Sequence, residues 1–413
     1  MAPALHIETV AAGGGSICAL KPDGIAVGPE SAGADPGPAC YGRGGPLTLT
    51  DVNLLLGRIE VDRANIPLSV SAAREAYELL IGEMHSAGAK VPSERELLEG
   101  LLQIAVERMA EAIRKISVRE GYDPAEHTLI AFGGAGPQHA CAVAEVLGMK
   151  RVLIPSDAGL LSACGVAAAR LEKFATRPVL RPLSEVLDEI PETLAELEAE
   201  AVRLLPVEGK VDRRIAELRL VGQEESLEFE VSSPGRLPDQ FAERFAQLFG
   251  YRPPANRMIE LVALRVSAAS GAHPSGAKQF GEREELGSTH VESTPFFTFV
   301  AEPGWGVRRA ADGSVLLERE RAEGARGQAT DGELAVEITR SRLAGSVEER
   351  GVTLTRCAMS TTVRERQDFS GALLDADGRL AINAPHIPGP LGALGLCVRR
   401  VAEELDLQSG DIA

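Results

Sequence analysis

Residues 11–53 read AAGGGSICALKPDGIAVGPESAGADPGPACYGRGGPLTLTDVN, and no other stretch restricts the folding options as much. Gly13, Gly14, Gly15, Gly24, Gly28, Gly33, Gly37, Gly42, Gly44 and Gly45 share it with Pro22, Pro29, Pro36, Pro38 and Pro46. Glycine and proline at this density usually mark a flexible linker. Here few charges are present and apolar residues are interleaved throughout, which a linker would not need. Glycine admits positive φ and close backbone approach, while proline fixes φ near about −65°. Together they suit a long, rigid, irregular loop with N–H groups turned to a ligand. A loop of this length inside a compact domain is usually functional.

A chain of 413 residues is too long for one ordinary core and predicts several domains. Apolar content of 44% and charged content of 25% are those of a globular protein. The net charge of −17 argues against a nucleic-acid partner and against an anionic membrane surface. No apolar run approaches the roughly 20 residues of a membrane span. The opening residues carry no signal-peptide pattern. Cys18, Cys40, Cys141, Cys164, Cys357 and Cys397 are scattered without metal-ligand spacing, which suggests free thiols in a reducing cytoplasm.

Helical periodicity covers 71–87 and 93–120. Ser93 followed by Glu96 is a capping-box pattern at the start of the second helix. Residues 128–132 form a short apolar strand, followed by Gly133-Gly134-Ala135-Gly136-Pro137, a helix over 138–147 and a second strand at 151–154. This β–glycine loop–α–β unit is typical of α/β nucleotide-binding domains. From about residue 177 the pattern becomes α+β: a charged helix over 183–205, strands at 215–221, 226–231 and 258–268, and a helix over 239–249. The expected domains are therefore 1–176, 177–270, a short β element at 271–318, a linker at 319–333, and a last part from 334 to 413. That last part should hold a helix over 334–357, a hairpin (369–374 with 379–383) turning at Gly378, and a helix over 395–405.

Several residues have chemistry to offer, each with a structural alternative. Gly133, Gly134, Ala135 and Gly136 lie between a strand and a helix, where a helix N-terminus offers N–H groups to an anion; the same glycines also fit a tight turn. Gly13, Gly14, Gly15 and Ser16 fit an anion-binding nest or a bend between strands. Asp51 fits a functional acid or a helix cap, and His139 a ligand contact or a satisfied, half-buried histidine. Near the C-terminus, Glu365, Asp368 and His386 could meet through the hairpin to transfer protons or hold a metal, or they could lie solvated on the surface.

GGGSI, then VGPESAGADPGPACYGRGGPLTLTD, resembles the A-type part of the hydantoinase/oxoprolinase family, and RERQDFS with APHIP resembles the opening of its B-type part. This resemblance implies an α/β fold class: a partial actin-like (ribonuclease H-like) ATPase domain, a small α+β domain and the start of a B-type domain. It implies ATP with Mg2+ as cofactors, a small-molecule cyclic amide as substrate, and a homo-oligomer or an A/B-type assembly. The implied reaction is ATP-dependent hydrolysis of 5-oxoproline; an N-methylhydantoinase, a ketone carboxylase subunit or an inactive scaffold are the alternatives. The phosphate-gripping loops of the actin-like fold are expected before residue 1 in the family pattern, and a further glycine-rich B-type stretch after Ala413. The 413-residue chain alone is accordingly expected not to hydrolyse ATP. Gly389-Pro390 stands where the family commonly has a second histidine.

Overall fold

The computed structural model describes residues 7–22, 24–271, 279–319, 333–358, 360–364, 366–375, 377–384 and 391–405. The glycine-proline block begins as an antiparallel hairpin, Ser16–Lys21 with Gly24–Ser31, in which Cys18 faces Val27. Three helices follow: Leu49–Leu55, Val70–Ser86 and Glu94–Arg119. The last begins as its sequence predicts. Ser93 N donates to Glu96 Oε2 (2.9 Å), and Glu96 N donates back to Ser93 Oγ (3.4 Å). Leu97, Leu101 and Ile104 recur at helical spacing and are fully buried, joining Ile25, Val27 and Leu49 in one core.

The β–loop–α–β unit is present as strand Thr128–Ile130, helix Gly136–Val146 and strand Arg151–Ile154, with the two strands parallel. The sheet does not end there. Strand Val315–Glu318 pairs antiparallel with Arg151–Ile154, then Gly306–Arg309 and Glu284–Glu285 extend it to five strands. Within the region expected at 271–318 as a short element of its own, strands Glu284–Glu285, Gly306–Arg309 and Val315–Glu318 thus join the sheet of the first module, while His290–Ser293 pairs with Thr298–Ala301 in a separate two-stranded sheet. Phe297, Phe299, Trp305, Val307 and Leu317 share the core of residues 18–158. Trp305 is fully buried and donates its Nε1–H to Glu145 Oε1 (2.8 Å).

Between these halves sits the α+β module, with a core of its own. Its antiparallel sheet runs in the order Glu172–Pro182, Ile259–Ala269, Lys210–Leu220, Leu227–Glu230. The first strand crosses the boundary expected at 176/177. Its alternation is masked in sequence because most of its side chains are exposed or half-exposed. The helix expected over 183–205 is divided into Leu183–Val186 and Ile190–Leu204, with Pro191 in the first turn of the second, where a missing N–H costs nothing. Helix Leu237–Phe249 brings Phe241 and Phe245 under the sheet and closes at Gly250, whose φ is 77°.

Helix Glu333–Cys357 follows and packs along helix Glu94–Arg119. Beyond it the expected hairpin is present as Ala372–Leu374 with Leu380–Asn383. Asp375 Oδ1 accepts from Asp377 N and Arg379 N, and Gly378 has φ 72°. The final helix is Leu391–Glu404, one turn earlier than its sequence predicts.

Candidate functional site

The loop at 133–136 is fixed from both sides. Gly133 N donates to Ala158 O (2.7 Å), and Gly134 O accepts from Thr298 N (3.1 Å). Gly133 has φ 88°, a conformation other residues rarely adopt. The helix then starts at Gly136 with Pro137 in its first turn. Gly134, Ala135 and Gly136 direct N–H groups that find no acceptor among the described residues. An ideal Cβ on Gly136 would meet nothing within 4 Å, so the space in front of this helix end is open.

That space adjoins an apolar groove of about 450 Å³, lined among others by Val10, Met109, Ile113, Phe132, Gly136 and His139. Ile130 and Phe132 are half-exposed beside it. His139 is 3% exposed, and neither ring nitrogen has a hydrogen-bond partner among the described residues. It is therefore not a satisfied, half-buried histidine. Burial, and secondly the Arg58 guanidinium, hold its pKa down at about 4. At neutral pH the ring is uncharged and offers one donor and one acceptor.

Arg58 is itself buried and ties the helix end to its surroundings. Its Nη2 donates to Gln138 O (2.8 Å), Nη1 to Glu302 Oε1 (2.6 Å) and Nε to Asn53 Oδ1 (3.1 Å). Nothing in the local pattern around Arg58 marks it; residue 302 reaches it only through the tertiary fold.

Gly13–Ser16 is arranged differently. Ser16 N donates to Gly13 O, Thr50 N to Gly14 O and Ala32 N to Gly15 O, each at 2.9 Å. Ser16 Oγ accepts from Gly13 N (2.9 Å) and is buried. None of the three glycines has positive φ, whereas a nest needs alternating backbone hand. The segment is a tight bend held against the hairpin and helix Leu49–Leu55. Asp51 is likewise occupied. It is fully buried and accepts from Thr48 N (2.7 Å), Thr48 Oγ1 (2.8 Å), Cys40 N (2.7 Å) and Ala39 N (3.1 Å). It acts as the third residue of a capping box, with Thr48 as the N-cap. Burial first, with this carboxylate second, pushes the Cys18 thiol up, and the same causes raise Cys40. Both thiols are inert at neutral pH.

Of the three C-terminal candidates, Glu365 and His386 lie outside the described residues. Asp368 is exposed, and its backbone N–H reaches Thr362 O (3.2 Å). Among the described residues no group of three or more His, Cys, Asp or Glu side chains is placed to hold a metal ion. No described helix is long and apolar enough to cross a membrane.

Two family models match the chain: Hydantoinase/oxoprolinase over residues 1–174, and Hydantoinase B/oxoprolinase over residues 333–413. The chain belongs to the hydantoinase/oxoprolinase family. It is 33% identical to 5-oxoprolinase 1 of Arabidopsis thaliana over 96% of its own length and 36% of that protein. The crystal structure of the ATP-dependent caprolactamase from Pseudomonas jessenii superposes with a TM-score of 0.61 at 27% identity, over 78% of this chain and 54% of that one. A nucleotide-free acetone carboxylase has the same fold, with a TM-score of 0.53 at 20% identity, over 75% of this chain and 52% of that one. The chain thus spans roughly a third of the oxoprolinase it matches (36%) and about half of each structural neighbour.

Proposed function

We propose that this chain serves the ATP-dependent opening of a cyclic amide, 5-oxo-L-proline to L-glutamate, as part of a complete oxoprolinase. The observation that carries this reading is the fused order. An A-type part and a B-type part follow one another in one chain, and an oxoprolinase aligns with both across 96% of it. An unstrained amide is a poor electrophile; transfer of a phosphoryl group from ATP to its oxygen, releasing ADP, activates the ring carbon, water adds there, the C–N bond breaks as the ring nitrogen takes up a proton, and a second water hydrolyses the resulting acyl phosphate to carboxylate and inorganic phosphate. The arrangement around Gly136 suits a nucleotide. Free N–H groups at a helix start favour phosphate oxygens, and the absent side chain leaves room for close approach. Neutral His139 adds an uncharged donor and acceptor within an apolar wall, which excludes water and suits a planar base more than a phosphate. Arg58 holds the first helical turn in place through Gln138 O. Mg2+ is assigned to none of the described residues, and the ring-handling role stays with Glu365, Asp368 and His386.

A second reading, a larger lactam as substrate, is favoured by the likeness to the caprolactamase. The test is ATP hydrolysis by the complete protein with 5-oxoproline, caprolactam, hydantoin, or a ketone with bicarbonate. Stimulation by 5-oxoproline above the others is expected. Stimulation by caprolactam alone selects the second reading, and no stimulation by any cyclic amide rejects both.

A further inference from the structure

The setting of the loop at 133–136 depends on residues beyond those that bond to it. Hairpin His290–Ser293 with Thr298–Ala301 ends on the pair Ser293 and Thr298, which face one another across the two strands. Both N–H groups of this pair point outward. Thr298 N donates to Gly134 O (3.1 Å) on one side, and Ser293 N donates to Glu60 Oε2 (2.9 Å) on the other. This is the wide, non-hydrogen-bonded kind of antiparallel pair, bridged here by the two hydroxyls at 3.0 Å. The side away from the loop is held at two further points: Arg63 Nη1 donates to Ser293 O (3.4 Å), and Asn65 Nδ2 donates to Pro295 O. The turn between the strands is stiff. Thr294 N donates to Phe297 O (2.8 Å), and Thr294 Oγ1 accepts from Phe296 N (3.3 Å) and Phe297 N (3.0 Å). Phe297 and Phe299 anchor the hairpin in the core. Gly159 lets it approach, because an ideal Cβ there would collide with Phe296 O.

A peptide unit is planar, so the Gly134 carbonyl and the Ala135 N–H turn together. Holding Gly134 O towards Thr298 therefore directs the Ala135 N–H to the opposite side, where it finds no acceptor among the described residues. We propose that Glu60 is a positioning residue: through Ser293 and Thr298 it fixes the Gly134–Ala135 peptide and so aims the Ala135 N–H at a nucleotide phosphate. This role rests on the reading of the loop as a nucleotide site. Glu60 suits it because its bond is charge-assisted and its partner Ser293 is buried, which makes the bond strong and shields it from water. Arg63 Nε, 3.9 Å from the same carboxylate oxygen, keeps that carboxylate in place. Asn65 acts in the same direction at the turn, more weakly, through a neutral bond.

The test compares Glu60→Ala and Glu60→Gln in the complete protein, by amide hydrogen exchange and by ATP kinetics. Glu60→Ala should speed exchange of the Thr298 and Gly133 amides about tenfold. It should also raise the KM for ATP about fivefold while kcat stays within about twofold of the parent. A general loss of stability would instead spread faster exchange over the whole core, and that pattern overturns the proposal. Glu60→Gln keeps an oxygen that accepts from Ser293 N, so it should bring both readouts back towards the parent. Failure of that rescue overturns the relay through Ser293. Unchanged exchange at Thr298 in Glu60→Ala overturns the proposal whatever ATP does. Faster exchange at both amides with an unchanged KM supports the relay and rejects the nucleotide reading of the loop instead. Should Glu60→Ala fail to fold, Asn65→Ala, at an exposed position, takes its place. Changes of about threefold in the same directions are then expected, and unchanged Thr298 exchange overturns the proposal.

Discussion

Both glycine-rich segments of the first module keep N–H groups without an acceptor among the described residues, Gly14 and Gly15 in one and Gly134 to Gly136 in the other, and they differ in what surrounds those groups. In 11–53 the carbonyls of Gly13, Gly14 and Gly15 and both oxygens of Asp51 are bonded within the block. Beside 133–136 the buried His139 has no partner among the described residues. Glycine density reports backbone freedom, which scaffolds and ligand loops both need. Unmet hydrogen-bonding capacity in a buried place is the better pointer to where something else binds.

The strongest way to break this contrast is Asp51→Ala. It strands four buried donors at once, and a loss of about 4 kcal/mol or more is expected in chemical denaturation. A loss under about 1 kcal/mol would show that the block is not held by this carboxylate. Next comes His139. Its folded pKa, about 4, lies below the ordinary 6.5, so the unfolded chain binds the extra proton between these values. Stability is therefore full above the ordinary value and falls as pH drops towards 4, by on the order of 3 kcal/mol from this one group. His139→Leu should flatten that limb, while an unchanged acid limb would mean that the ring is solvated or partnered.

A smaller effect separates the two segments directly. Gly13 and Gly136 both have open space where a Cβ would go and neither has positive φ, so alanine should leave the unfolding midpoint of either variant nearly unchanged. In the complete protein Gly136→Ala is expected to raise the KM for ATP about tenfold, and Gly13→Ala less than twofold. The reverse order would move the nucleotide to the first block. The smallest shift belongs to the helix interface. Burial, then the neighbouring Glu348, raises the Glu111 pKa, against the opposing pull of Arg114 and Lys115. The ionised form is thus disfavoured in the folded state. Glu111→Gln should raise the melting temperature slightly above the carboxylate range, with the gain vanishing as pH falls through it. A gain that persists in acid would point to packing instead.

Much of this was legible beforehand because it is written in neighbouring residues. The Ser93–Glu96 capping box, the 3–4 residue spacing of Leu98, Leu101 and Ala105, the strand–loop–helix around Gly133 and the turn at Gly378 all act over a few residues. Motifs of the same kind carried the family likeness. Asp51 was half legible: its position allowed a cap, but the two backbone donors from residues 39 and 40 come from a separate turn. The strand at 172–182 was not, because most of its side chains are exposed or half-exposed, nor was the sheet membership of 284–285, 306–309 and 315–318, because pairing partners such as Leu153 and Leu316 are separated by the whole α+β module.

By itself, then, the sequence determined most of the longer helices, the capping box at Ser93, the glycine turns and the family, all of which depend on short-range sterics, hydrogen bonding and motif order. Tertiary structure alone decided that the carbonyls of Gly13, Gly14 and Gly15 are tied into their own block, that His139 is buried without a partner among the described residues, that Arg58 reaches residue 302, and that the helix of the last part packs on the first two modules. Those outcomes depend on desolvation and on contacts between residues far apart in the chain, and no local periodicity encodes either.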